Sequence, residues 1–303
     1  MGCKRIKKTA AIAAVVLFCH LILSFGTTKV IYDSIFRRYD PADTAIRDPS
    51  LTEIMHPVSF PSGEHRLAGT LFDGPGDSLV VIVQGIHSHA GNFAPIIRQI
   101  VQVGNRDVFI FDMTGSGDSE GDSGIGFSQA VYDLHAALDH IARAYQYEDI
   151  LLLGHSRGGY AACCVLPERN DIDGVVAINS PNSPMDAVIS GSVNAVGWLA
   201  YGNYPMLYLY QAMIFDFETV SQTASDAIAQ SDVPVLIIQS RQDETIAFDR
   251  FSVYAHTEDA SGDHIQVWLT DGGHSSVLYD TSTDSINSRL WETLNRFFLQ
   301  TCP

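Results

Sequence analysis

Residues 150–164 read ILLLGHSRGGYAACC. Four apolar residues run straight into Gly154-His155-Ser156-Arg157-Gly158-Gly159, and a small-residue run follows. An apolar run of this kind predicts a strand buried on both faces, and the residues from Arg157 on predict a helix. A serine between the two sits on a sharp corner, with its hydroxyl held clear of the backbone. The glycines on either side allow chain segments to approach where a Cβ would clash. Ser156 is therefore the candidate nucleophile.

Gly-x-Ser-x-Gly alone is weak evidence, because the chain holds a second copy, Gly117-Asp118-Ser119-Glu120-Gly121. That copy lies several residues past its strand, in TGSGDSEGDSGIG (114–126), with no helix opening at the serine. It reads as a mobile loop. Context, and not the pattern, separates the two serines.

Around the corner the chain alternates between the two periods. RLAGTLFD (66–73) alternates as a strand, and LVVIVQG (79–85) and DVFIFDM (107–113) are continuous apolar runs. NFAPIIRQIVQVG (92–104) has helical spacing. GFSQAVYDLHAALDHIARAY (126–145) puts Ala130, Leu134, Leu138 and Ile141 on one helical face. Further strands are expected at 173–180, 233–240 and 264–270, and a last helix near 284–300. Such alternation predicts a mostly parallel, doubly wound α/β sheet covered on both faces. Ligands bind such sheets at the carboxyl ends of their strands.

A nucleophilic serine needs a base, and the base needs an orienting acid. His274, in LTDGGHSSV, follows the last strand. Asp243 follows the strand VPVLIIQS, in RQDETI. Its rivals are Glu244, Asp263 and Asp271; Asp271 shares a loop with His274 and is poorly placed to orient the ring from outside. The oxyanion donors are expected to be the backbone N–H groups of Arg157, at the start of its helix, and Ile86, in QGIHSHAGNF (84–93). His87 and His89 of that loop read as solvated.

With VIVQGIHSHAGNF, FDMTGSGDSEGDS, LLLGHSRGGYAA, PVLIIQSRQDETI and DGGHSS in one order over residues 80–276, the chain resembles the α/β-hydrolase superfamily. The resemblance is to the serine hydrolases that include monoacylglycerol lipases, cinnamoyl esterases and serine aminopeptidase-like proteins. It implies an α/β-hydrolase fold, the order Ser156, Asp243, His274 for the triad, and cleavage of carboxylic esters through an acyl-enzyme with no cofactor and no metal. Gln84 stands where such proteins commonly carry a His. Acyl transfer to another acceptor and peptide hydrolysis use the same triad, and a non-catalytic binding protein on this fold is the further alternative. Between two strands of this fold a lid is common. Residues 183–230 occupy that place, and Trp198, Tyr208 and Tyr210 are the candidate substrate contacts there.

The charge is unevenly spread. Residues 1–38 carry seven Lys and Arg against Asp33 alone, whereas the rest carries 34 acids and 11 arginines without a lysine. That acidic body excludes a nucleic-acid partner, which needs a basic face. TAAIAAVVLFCHLILSFGTT (9–28) has no Asp, Glu, Lys or Arg and follows four bases. Twenty such residues span a bilayer core, about 30 Å thick, and the basic flank places the N-terminus in the cytoplasm and the catalytic body outside. A cleaved signal peptide and a secreted protein are the alternative. The domains expected are a signal anchor at 1–30, a linker at 31–50 and the α/β domain at 51–303. The five cysteines fit neither a metal site nor a disulfide framework. The partners expected are the membrane and a small ester with an apolar acyl or aryl group.

Overall fold

The computed structural model describes residues 2–41, 45–257, 263–280 and 285–302. Residues 1 and 42–44 of the expected anchor and linker lie outside them. In chain order the elements are α1 (Gly2–Ile35), α2 (Pro49–Thr52), β1 (Met55–Ser62), β2 (His65–Phe72), β3 (Ser78–Val83), α3 (Ala94–Gln102), β4 (Asp107–Phe111), α4 (Gln129–Ala144), β5 (Asp149–His155), α5 (Arg157–Cys164) and β6 (Gly174–Ile178). Then follow α6 (Pro184–Val196), a 3-10 segment (Gly197–Asn203), α7 (Tyr204–Phe215), α8 (Phe217–Ser221), α9 (Ala224–Ala229), β7 (Val235–Ser240), α10 (Val253–Thr257), β8 (Ile265–Thr270) and α11 (Ser288–Thr301).

The main sheet runs β1-β2-β4-β3-β5-β6-β7-β8. β2 is antiparallel to both its neighbours, and every pairing from β4 to β8 is parallel. The doubly wound sheet expected from the alternating runs is the one observed. β1 has no counterpart in the expected strands. Its sequence, MHPVSFPS, holds two prolines, which suit an edge strand but mask it to pattern reading.

Period-two alternation divides the core. Leu79, Val81 and Val83 of β3 face one layer with α4, α5 and α7. Val80 and Ile82 face the other, packed by Ile96, Ile97 and Ile100 of α3 and by Leu290, Leu294, Phe297 and Phe298 of α11. On α4, Ala130, Leu134, Leu138 and Ile141 are buried as their spacing predicts. Cys163, Cys164 and Cys302 are buried free thiols, and Cys19 is exposed.

The N-terminal helix differs from the expected one in length and in partner. It continues to Ile35, and its last turns lie against α7. Phe25, Thr28, Tyr32 and Phe36 recur every three or four residues, the spacing of one helical face. Of these, Thr28, Tyr32 and Phe36 are buried. Tyr32 donates to Gln211 Oε1 (3.3 Å) and accepts from the amide of Phe127 (3.2 Å). Tyr210 packs edge-on to both Phe25 and Tyr32. Beyond the helix, Arg38 donates to the carbonyls of Gly117, Ser119 and Gly121. Residues 31–40 of the expected linker are thus built into the body. Fully burying a side chain the size of Phe36 contributes about 1.5–3 kcal/mol, so the attachment of the helix end is substantial. The other half, Ala10–Leu23, is exposed along its whole length, and Ala10–Ile35 is long and apolar enough to cross a membrane.

Candidate active site

Ser156 caps α5 with φ 55° and ψ −121°. A side chain at positive φ with this ψ lies outside the allowed basins, and such strain persists only where its surroundings impose it. Here the amide of Ser156 donates to the Ile178 carbonyl (2.8 Å). A Cβ on Gly154 would overlap the Gly158 backbone, and one on Gly158 would overlap the Val83 carbonyl. The glycines of the opening sequence are there for close approach, as expected.

The three side chains expected to act together meet at the carboxyl edge of the sheet. His274 Nε2 is 2.9 Å from Ser156 Oγ, and His274 Nδ1 is 2.9 Å and 3.0 Å from the two oxygens of Asp243. The Asp243 carboxylate is fully buried and accepts from the amides of Thr245 (2.8 Å) and Ile246 (2.9 Å). Those amides hold it aimed at the ring. Two of its three rivals are engaged elsewhere. Glu244 accepts from the His274 amide (2.9 Å), and Asp271 pairs with Arg241.

Two residues missed in the sequence fix the histidine from behind. His155 Nε2 (2.9 Å) and Asn179 Nδ2 (2.7 Å) both donate to the His274 carbonyl. Asn179 also accepts from the Ser240 amide (2.7 Å), tying the ends of β6 and β7 together. Burial lowers the His155 pKa to about 4, so its ring stays neutral and keeps its donor. The signal was present in outline: both residues end apolar strands that feed the site.

Gly85 brings the β3 loop close to Ser156; a Cβ there would stand 3.2 Å from the Ser156 Cβ. Ile86 follows it in the loop, and the first amide of α5, that of Arg157, has no intrahelical acceptor. Gln84, at the usual His position, donates to the Phe111 carbonyl (2.7 Å) and to Asp112 (3.0 Å). It anchors the loop to the end of β4. The Arg157 side chain is buried and donates to the carbonyls of Phe127 (2.9 Å) and Gly126 (2.5 Å). Its guanidinium also lies over the rings of Phe36 and Phe127.

Other expectations fare differently. Ser119 is buried, donating to the Asp112 carbonyl (2.5 Å) and accepting from the Ala68 amide (2.9 Å), so its hydroxyl is committed. Its loop, read as mobile, is pinned by Arg38. His89 is buried, not solvated. His87 is exposed and donates to the Ile35 carbonyl (3.0 Å). The largest correction concerns the lid. The segment is helical and lies between β6 and β7, but its three aromatic candidates do not meet the nucleophile. Trp198 is 79% exposed, Tyr208 bonds Ser221 (2.6 Å), and Tyr210 bonds Asp33 (2.6 Å) of α1. The aromatic run was ambiguous because a ring suits a pocket, a helix interface and a surface equally.

A cavity of about 400 Å³ opens over Ser156 and His274, a size that holds a small ligand. Its apolar wall is Ile86, Phe93 and Leu278, with Tyr279 beside them. No carboxylate lines it among the described residues. Nor do the described residues hold a cluster of metal-ligating side chains.

Comparison with known proteins gives a consistent frame. A family model described as serine aminopeptidase, S33, matches residues 74–230, which include Ser156 but neither Asp243 nor His274. An esterase of Pyrococcus furiosus superposes with a TM-score of 0.68 at 18% identity, over 88% of this chain and 100% of that one. Est1E of Butyrivibrio proteoclasticus, solved with ferulic acid bound, gives 0.61 at 17% identity over 80% and 98%. A proline iminopeptidase of Mycobacterium smegmatis gives 0.57 at 15% over 81% and 98%. At these identities the likeness is one of fold. No curated protein matches the chain.

Proposed function

The chain belongs to the serine aminopeptidase S33 family of α/β hydrolases, and from that premise we propose that it is a membrane-tethered serine esterase. The observation that carries the reading is the relay from Ser156 Oγ through His274 to the buried Asp243. In it, His274 Nε2 takes the Ser156 proton as Oγ attacks the ester carbonyl. Nδ1–H remains on the ring and donates to Asp243, which stabilises the imidazolium. The amides of Ile86 and Arg157 receive the oxyanion. The proton on Nε2 then passes to the departing alcohol, leaving an acyl-serine. Water, deprotonated by the same nitrogen, releases the acid and restores Ser156.

Ester over aminopeptide follows from charge. An aminopeptidase must hold a free ammonium group, and burying one without a carboxylate is costly. No carboxylate lines this cavity among the described residues. A neutral ester with an apolar acyl or aryl group fits Ile86, Phe93 and Leu278. The exposed half of α1 supports the tether, with the basic N-terminal flank cytoplasmic and the body outside.

The test is labelling by a fluorophosphonate. The full chain reacts, Ser119→Ala reacts as well, and Ser156→Ala does not. Labelling that survives Ser156→Ala overturns the mechanism. Faster turnover of aminoacyl amides than of p-nitrophenyl butyrate overturns the substrate class alone.

A further inference from the structure

The docked half of α1 fixes where the rest of that helix leaves the protein. Asn203, the residue before α7, bonds both Ser24 and Thr28. One to two turns on, Tyr210 bonds Lys29 and Asp33, and Gln211 bonds Tyr32. Both chains advance together along these contacts, so α7 runs parallel to α1. The start of α7 therefore lies at the point where α1 emerges from the body.

That start is aromatic and exposed. Trp198 is 79% exposed, Tyr201 44% and Tyr204 40%. All three lie within five residues of Asn203 in the chain. Trp and Tyr collect at membrane interfaces, where one end of the ring meets apolar chains and the other meets water.

Length decides what covers the cluster. Ala10–Leu23, the stretch of α1 clear of the body, is only about 21 Å long at 1.5 Å per residue. A bilayer core is about 30 Å thick. The uncharged run from Thr9 to Thr28 closes that gap, at about 30 Å. It does so only if Ser24 and Thr28, with Asn203 bonded to them, reach the edge of the hydrocarbon. Whatever stands beside Asn203 then enters the headgroup layer. We propose that Trp198, Tyr201 and Tyr204 form a second membrane contact, seated in the outer-leaflet interface beside the anchor. The contact sets the height and tilt of the catalytic body. It rests on the anchor reading and adds a surface to it.

Met213 supplies an internal control. It is 67% exposed and lies on the same helix, ten residues past Asn203, about 15 Å farther from the bilayer along the axis. The proposal places it in water.

The experiment is fluorescence quenching by brominated lipids, on the full chain in phosphatidylcholine vesicles. Trp198→Phe, at an exposed position that tolerates it, isolates the Trp198 emission by difference from Trp268 and Trp291. Lipids brominated near the glycerol end of the acyl chain are expected to remove at least about half of the Trp198 component. Met213→Trp, in the Trp198→Phe background, is expected to add emission that the same lipids leave unchanged. Retention of the chain after carbonate washing is measured in parallel. A retained chain whose Trp198 component is equally bright in brominated and plain vesicles overturns the interface contact and leaves the anchor standing. A chain released by carbonate overturns both.

Discussion

The loops over the sheet and the helices between β6 and β7 spend their side chains in opposite ways. At the strand ends, polar atoms are used on one another: Asp243 on His274 and two amides, His155 and Asn179 on the His274 carbonyl, Gln84 on the β4 end. Little is left for solvent, and geometry is over-determined. In the helical segment the polar atoms of Asn203, Tyr210 and Gln211 are used on α1, and the rings of Trp198, Tyr201 and Tyr204 are left exposed. The difference separates the region proposed to do chemistry from the one proposed to meet the membrane. A self-satisfied polar cluster holds a reacting group in place; exposed apolar rings await a partner.

Four experiments test that division, in descending order of effect. Asp243→Asn keeps the shape but loses the tautomer restraint and the ion that stabilises the imidazolium. Ester turnover is expected to fall about 10⁴-fold, measured as kcat on p-nitrophenyl butyrate with folding checked by circular dichroism. A loss under tenfold would move the acid elsewhere.

Phe36→Ala is expected to cost about 3–5 kcal/mol, the cost of truncating a buried aromatic, read from thermal unfolding of the full chain in detergent. Leu17→Ala, on the exposed half of α1, is expected to leave the midpoint unchanged. Equal midpoints for both variants would show that α1 is not part of the folded body.

His155 couples the site to pH. Its folded pKa of about 4 lies below the unfolded value of about 6.5. Between these values the unfolded chain binds the extra proton, so stability is full above pH 6.5 and falls as pH drops toward 4. The share of His155 is about 3 kcal/mol. His135 and His140, also lowered by burial, add in the same direction. Denaturant titrations of His155→Gln are expected to show a shallower acid slope. An unchanged slope would mean that the ring is not held neutral.

Replacing Tyr208 and Tyr210 together by Ser is expected to leave the acyl-chain preference as it is, since neither lines the cavity. A flattened preference would return these residues to the pocket.

The sequence made the fold and the meeting of Ser156, His274 and Asp243 legible and left the N-terminal docking dark, for one physical reason. Strand runs, the Gly-flanked Ser156, and Asp243 and His274 just after their strands are all local patterns, and topology then converges them. The seating of α1 depends on pairs such as Tyr32–Gln211 and Asp33–Tyr210, 179 and 177 residues apart. An apolar stripe at Phe25, Tyr32 and Phe36 suits lipid as well as a protein core, so composition could not choose. Trp198, Tyr208 and Tyr210 failed as pocket residues for the same reason. β1 was hidden by its prolines, and His155 by its place inside the motif that drew attention to its neighbour.

The span between Tyr32 and Gln211 also orders events in time. Gln211 leaves the ribosome 179 residues after Tyr32. At about 5–20 residues per second that is an interval of about 10 to 35 seconds. Throughout it, Tyr32 lacks the Tyr210 ring and the Gln211 amide against which it is seated. The docked end of α1 therefore waits for α7 before its polar contacts can close.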